Sequence, residues 1–300
     1  MPLRPGPVRS RAVEDRREIL ATRHGESADV RTVRAVQFIR RMRGASQPCL
    51  LGCDDGASYV VKFCNNPQHV RVLANEMLAG RLALLIGLPV PEPTFVEVHQ
   101  DLIDRNPGLA LERASVHVPC LPGLHFGSRF PGTPGRTLVV DFLPDRLLRR
   151  VGNLAAAFLG GFVFDKWTCN CDGRQVIFCR SADQQASRYS AQLIDQGFCF
   201  NDGEWSFPDS PIRSLYPRRL VYESVRGLQS FEPFLSRVEN LDRERLELCA
   251  REIPPEWCGK DGEDGQPLAL AARLHERRRR LRQALIDARN SSLQPFPNWV

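Results

Sequence analysis

Lysine is nearly missing from this chain. Of its 41 basic residues only Lys62, Lys166 and Lys260 are lysines, and the rest are arginine. Arginine already supplies any generic positive charge, and its planar fork suits bidentate contact with phosphate or carboxylate. A lysine kept inside an apolar run is therefore informative, because it brings a compact point charge. Long apolar runs are missing too. None approaches the roughly 20 residues that a spanning helix needs, so no membrane partner is expected. The opening stretch MPLRPGPVRSRAVEDRREIL has positive charge but no apolar core behind it, which excludes a secretory-signal reading and makes a cytoplasmic location the expectation. Among ten cysteines there is no CxxC pair, so the common zinc and thioredoxin spacings are absent. Most cysteines sit beside apolar residues, as in VIFCR and GFCFN, and read as reduced, buried thiols. Cys169 and Cys171 differ in flanking Asn170. No internal repeat occurs.

What is present is an apolar fraction of 42 %, enough to fill a core of ordinary size in one large domain or two lobes. The net charge of +6 suits a phosphate-rich ligand. It comes without a basic motif interleaved with aromatics, so a nucleic-acid partner is not expected. Residues 1–30 are Pro/Arg-rich and aperiodic and read as a disordered leader.

Periodicity then organises residues 31–102. VRAVQFIRRM partly alternates and predicts a strand. QPCLLGCDDGASYVVKF predicts two more strands around the turn CDDG. In the segment after Asn65, Leu73, Met77, Leu78, Leu82 and Leu85 recur at helical spacing, with Gly87 as the stop and Pro89 and Pro91 beyond it. TFVEVHQ predicts a fourth strand. Residues 103–300 hold a Pro/Gly-rich connection to about 150 and a mainly helical remainder. LAAAFLGGFVF reads as an apolar helix running into DKWTCN. QVIFCR and YSAQLIDQG read as two strands joined by SADQQAS. Leu270, Leu274, Leu281 and Leu285 line one face of a late helix, and HERRRRLR is its solvated face. Trp167 and Trp205 read as packing residues.

Several polar residues fall in a telling order on these elements. Gly56, Ala57 and Ser58 form a turn between strands, Lys62 ends the next strand, and Glu76 lies early in the following helix. Much later come Asp165, Asn170 five residues on, and Asp195-Gln-Gly after a strand pair. Phosphoryl transfer needs such parts. Backbone N–H groups of a turn can cover phosphates, a strand lysine can neutralise them, and a helix glutamate can hold that lysine. An aspartate can accept the hydroxyl proton, while an amide and a second aspartate hold Mg²⁺ through oxygen. Each part alone is commonplace; the joint order carries the reading.

The segment YVVKFCNNPQHVRVLANEMLAGRLALLIGLPVPEP resembles the small lobe of the HipA-like kinases, and HFGSRFPG, FDKWTCNCDGRQVIF and LIDQGFCFNDGEWSFPD extend the resemblance to stand-alone HipA-like domains, over residues 33 to about 260. The resemblance implies an α+β, bilobal protein-kinase-like fold, with a small antiparallel-sheet lobe carrying one helix and a mainly helical second lobe. It implies ATP and Mg²⁺ as cofactors and transfer of the γ-phosphate to a hydroxyl of a protein Ser/Thr or a small molecule. A toxin-like role and an antitoxin partner are further implications of it. The alternative is a nucleotide-binding pseudokinase acting as an interaction module.

The chain departs from the family's T-D-x-H-x-x-N catalytic loop, since no His follows either aspartate. Asp165 has Asn170 at the spacing that a metal-binding amide needs and is favoured as the base. Asp172 is the alternative, with Gln175 then standing in for the amide. Arg129, in HFGSRF, reads as a solvated arginine near the lobe connection.

Overall fold

A computed structural model describes residues 30–181, 188–259 and 266–300. The expected leader, most of the turn SADQQAS and Lys260 lie outside the described residues. The first elements follow the order that periodicity predicts: β1 (Thr32–Arg41), β2 (Cys49–Cys53), β3 (Ser58–Lys62), helix α1 (Arg71–Leu85) and β4 (Pro93–Val98). Strand alternation in β3 sends Tyr59 and Val61 into a buried apolar cluster with Val33, Leu51 and Val96, while Val60 and Lys62 face a cleft. The apolar face of α1 is buried through Leu73, Met77, Leu78 and Leu82, but Leu85 is 38 % exposed. The helix stops as expected. Gly87 takes φ +76°, its N–H reaches the Leu84 carbonyl, and the Leu88 N–H reaches that of Ala83, a glycine-dependent C-terminal cap.

The stretch 101–150 is more than a connection. It holds helix α2 (Gln100–Asp104), the hairpin β5 (Ala110–Arg113) and β6 (Val116–Pro119), then β7 (Gly123–Arg129) and β8 (Thr137–Val140). β7 inserts between β3 and β4, so the first sheet continues past residue 102 to residue 129. Its glycines disguise it as loop. Gly127 is in fact a packing requirement, because a Cβ there would meet Val96 Cγ2 at 2.4 Å.

The five strands close into a barrel in the order β1-β2-β3-β7-β4. Closure is by a parallel pair, with Val33 opposite Val96, so the sheet is mixed rather than antiparallel. α1 supplies the long crossover that a parallel pair demands.

The remainder begins with helix α3 (Asp145–Leu148) and a widened turn, Ala156–Gly160, leading into helix α4 (Gly161–Thr168). β9 (Gln175–Ser181) pairs antiparallel with β8 on one side and with β10 (Ser190–Ile194) on the other. Helices α5 (Phe234–Glu239), α6 (Arg243–Arg251), α7 (Gln266–Arg277) and α8 (Leu281–Arg289) pack around α4 and α1. Leu270, Leu274, Leu281 and Leu285 are buried, and so are Trp167 and Trp205. The basic run is not wholly solvated. Arg277 is buried, donating from Nε to the Trp167 carbonyl (3.0 Å) and from Nη2 to Asp209 (2.6 Å). All ten cysteines are free thiols, and only Cys64 and Cys171 are partly exposed. Among the described residues no helix is long and apolar enough to cross a membrane.

Candidate active site

A cleft of about 330 Å³ opens between the barrel and the β8–β9–β10 sheet. One end is apolar, lined by Val60, Pro91, Phe126, Val139, Ile177 and Ile194. The other carries Lys62, Glu76, Asp172, Gln175 and Asp195. Apolar walls beside a charged cluster suit a ligand that is aromatic at one end and anionic at the other.

At the charged end the last residue of β3 meets the second turn of α1 and the residue after β10. The Lys62 ammonium donates to Glu76 Oε1 and, at 2.7 Å, to Asp195 Oδ1. Burial pulls the lysine down, but the two carboxylates outweigh it and hold Lys62 charged above its usual range. The carboxylates split in opposite directions. Burial pushes Glu76 up, whereas for Asp195 the charge of Lys62 overcomes burial and draws it down. Glu76 also accepts the backbone N–H groups of Gln196 (3.0 Å) and Gly197 (3.1 Å). Lys62 is therefore a paired lysine at the cleft, not one snorkelling to solvent.

The residue before Glu76 completes this grip. Asn75 is fully buried, donates to the carbonyls of Gly197 (2.7 Å) and Asp202 (2.9 Å), and accepts from Trp205 Nε1 (2.7 Å). Consecutive side chains of α1 thus hold both the N–H and the C=O of Gly197. Asn75 was not singled out from the sequence, where its one mark is its place directly before Glu76.

The two candidate aspartates occupy different environments. Asp165, on α4, is 1 % exposed and does not line the cleft. Arg174 grips it through Nε to Oδ2 (2.9 Å) and through Nη2 to Oδ1, and Asn170 Nδ2 donates to Oδ1 at 3.1 Å. Asn170 is likewise buried away from the cleft, and its Oδ1 accepts the Asp172 N–H at 3.2 Å. The spacing that suggested a base and its metal-binding amide produces instead a buried bracket under the loop. Cys169, in the left-handed region at φ 54°, ends α4 and turns the chain into that loop. Asp172 stands on top of it, exposed and facing the cleft. Gln175 opens β9 and donates from Nε2 to Asp195 Oδ2 at 2.8 Å. Lys62 and Gln175 thus hold opposite oxygens of Asp195.

Gly56, Ala57 and Ser58 are not at the cleft. Gly56 and Ala57 precede β3, Ser58 opens it and Lys62 ends it, so four steps along the strand, roughly 13 Å, separate the turn from the lysine. The loop at the cleft is the one between β1 and β2, where Met42, Arg43, Gly44, Ala45, Ser46 and Pro48 line it. Gly44 adopts φ +139°, a conformation that favours glycine. The signal for it in the sequence is the Gly44-Ala45-Ser46 stretch between two strands, one hairpin earlier than the CDDG turn. Arg129 also lines the cleft and reaches Glu92 at 3.3 Å.

The donor chemistry limits what cation fits. Among the described residues there is no cluster of three or more His, Cys, Asp or Glu side chains able to hold a metal by itself. The Gln175 amide and the Asp195 carboxylate offer two hard oxygen donors, which fits a cation such as Mg²⁺ that takes one or two protein oxygens and completes its shell with phosphates and water.

Comparison with curated proteins gives no match. Among solved structures, the Helicobacter pylori proinflammatory kinase CtkA superposes with a TM-score of 0.51 at 15 % identity, covering 86 % of this chain and all of that one. The Golgi casein kinase gives 0.47 at 9 % identity, over 91 % and 77 % of the two chains. Its Mn/ADP-bound structure gives 0.46 at 10 % identity, over 92 % and 76 %. The first of these is a likeness of fold. The family model described as HipA-like kinase matches residues 35–284, a span that runs from within β1 into α8 and takes in the whole cleft. The chain belongs to the HipA-like kinase family, and its reaction class is that of a kinase.

Proposed function

We propose that the protein transfers the γ-phosphate of ATP to a hydroxyl of a protein Ser/Thr or small-molecule acceptor, with Mg²⁺. The observation that carries this reading is Lys62 held between Glu76 and Asp195, with Gln175 on the other oxygen of Asp195, at the charged end of a half-apolar cleft. The apolar end accepts the nucleobase. The β1–β2 loop, with Gly44 lacking a side chain, lets backbone approach the phosphates, and Lys62 turns its charge toward them while Glu76 keeps it aimed. Gln175 and Asp195 would hold Mg²⁺, which supplies charge neutralisation on the phosphates. Asp172 takes the proton of the attacking hydroxyl, the role first expected of Asp165, because it faces the cleft and Asp165 is sealed beneath Arg174. Catalysis here is positioning and electrostatic stabilisation, and both need the preset contacts described above.

The test is incubation with ATP and Mg²⁺, reading ADP release and the gain of a phosphoryl group by intact mass. The expected result is both, abolished by EDTA. Nucleotide binding with neither would overturn the reading in favour of an interaction module.

A further inference from the structure

Arg174 lies two residues after Asp172, and its side chain turns from the cleft into the protein, where it is 3 % exposed. Its guanidinium has partners on two separate parts of the fold. On α4 it holds both oxygens of Asp165. Across the gap, Nη1 donates to the Ile194 carbonyl (3.1 Å) and to Gln196 Oε1 (2.8 Å). Ile194 and Gln196 are the chain neighbours of Asp195 on either side. Asp195 itself sits at φ 58°, a left-handed conformation that a non-glycine residue holds only when its surroundings enforce it. It follows the last residue of β10, so the strand ladder does not fix it.

We propose that Arg174 is a positioning residue for the divalent cation, setting the Asp195 carboxylate through Ile194 and Gln196, and not only the counter-charge of Asp165. The proposal rests on Asp195 being a cation-binding residue. Arginine suits the task because its planar fork can face Asp165 with one edge and residues 194 and 196 with the other. A lysine keeps the charge beside Asp165 but cannot span both.

The test uses the full chain and binding rather than turnover. ADP affinity is measured by calorimetry in EDTA and across a Mg²⁺ or Mn²⁺ titration, beside the melting temperature without ligand. In Arg174→Lys and in Gln196→Met, the affinity in EDTA is expected to stay as in the parent, and the apparent cation affinity to weaken about 10-fold or more. A purely structural arginine would lower the melting temperature and leave the cation dependence unchanged, and that result overturns the proposal. If Arg174→Lys does not fold, Gln196→Met, which leaves the Asp165 contacts intact, decides alone. A parent protein whose ADP binding ignores cations overturns both the proposal and the metal-binding reading of Asp195. A cation-dependent parent matched by its variants overturns the proposal alone.

Discussion

Exchanging each aspartate for asparagine separates the buried counter-charge at Asp165 from the base role proposed for Asp172. In Asp165→Asn the buried Arg174 guanidinium loses its counter-charge. Both side chains are essentially sealed, at 0 % and 3 % exposure. Removing one partner from such a pair costs about 3–5 kcal/mol, because the remaining charge stays desolvated. At about 2–4 °C per kcal/mol for a chain of this order, the melting temperature is expected to fall by about 6–20 °C. Asp172→Asn is a different perturbation. The side chain is exposed and accepts from the Gly173 N–H at 2.7 Å, a bond that an amide oxygen preserves. Its stability cost is within about 0.5 kcal/mol. Turnover, however, should fall by about 10²–10⁴, the usual worth of a positioned general base. The assays are thermal denaturation without ligand and ADP release below the lower transition. An Asp172→Asn protein with parental turnover, beside an Asp165→Asn protein that melts normally and is inactive, would refute the assignment.

Three further outcomes follow from the same geometry. Lys62→Met leaves Glu76 and Asp195 facing each other without the ammonium, and ADP release should drop by at least about 100-fold, the scale for losing one preset electrostatic partner; an active variant would remove Lys62 from the site. Gly44→Ala should raise the KM for ATP, since φ +139° excludes a side chain at low cost, whereas Gly56→Asn, at a far turn whose φ +79° asparagine tolerates, should leave KM unchanged; equal effects in steady-state kinetics would contradict the loop assignment. His125 is fully buried, with its Nδ1 accepting the Cys64 N–H, and burial lowers its pKa to about 4. The unfolded chain then binds the extra proton between about pH 6.5 and 4, so this contribution is intact above pH 6.5 and declines as pH falls, by up to about 3 kcal/mol. Urea midpoints measured across that range should show the decline, and a His125→Gln protein that declines as steeply would exclude His125 as its source.

Local pattern made much of the fold legible. Alternation and turn residues marked β1, β2, β3 and β4, and the spacing from Leu73 to Leu82 with Gly87 marked α1 and its end. β7 was hidden because a glycine forced by contact with Val96 looks, in one dimension, like a glycine that breaks a strand. The barrel's parallel closure was hidden because it joins residues about sixty positions apart. Lys62, Glu76 and Asp195, which the structure brings together, were legible as candidates because Lys62 ends a strand, Glu76 lies in the second turn of a helix and Asp195 directly follows a strand, each element having a strong local signature. The turn at Gly56 lies away from the cleft and the loop that lines it comes one hairpin earlier, since two turns of similar composition flank β2 and composition does not say which end of β3 faces the cleft.

The segment from Asp165 to Gln175 shows where the division falls. By itself the sequence determined which residues were available: two aspartates, an asparagine, a glutamine and an arginine within eleven positions, together with a lysine too rare to be incidental. Only the tertiary structure decided which of them face the cleft and which are buried. Asp165 is buried by the packing of α4, and the left-handed turn at Cys169 then leads through buried Asn170 to Asp172 and Gln175 at the cleft. Arg174 then neutralises the inward aspartate. Spacing along a chain measures distance in residues, but a proton acceptor is defined by what its oxygens face, and that direction is set by packing against elements far away in sequence.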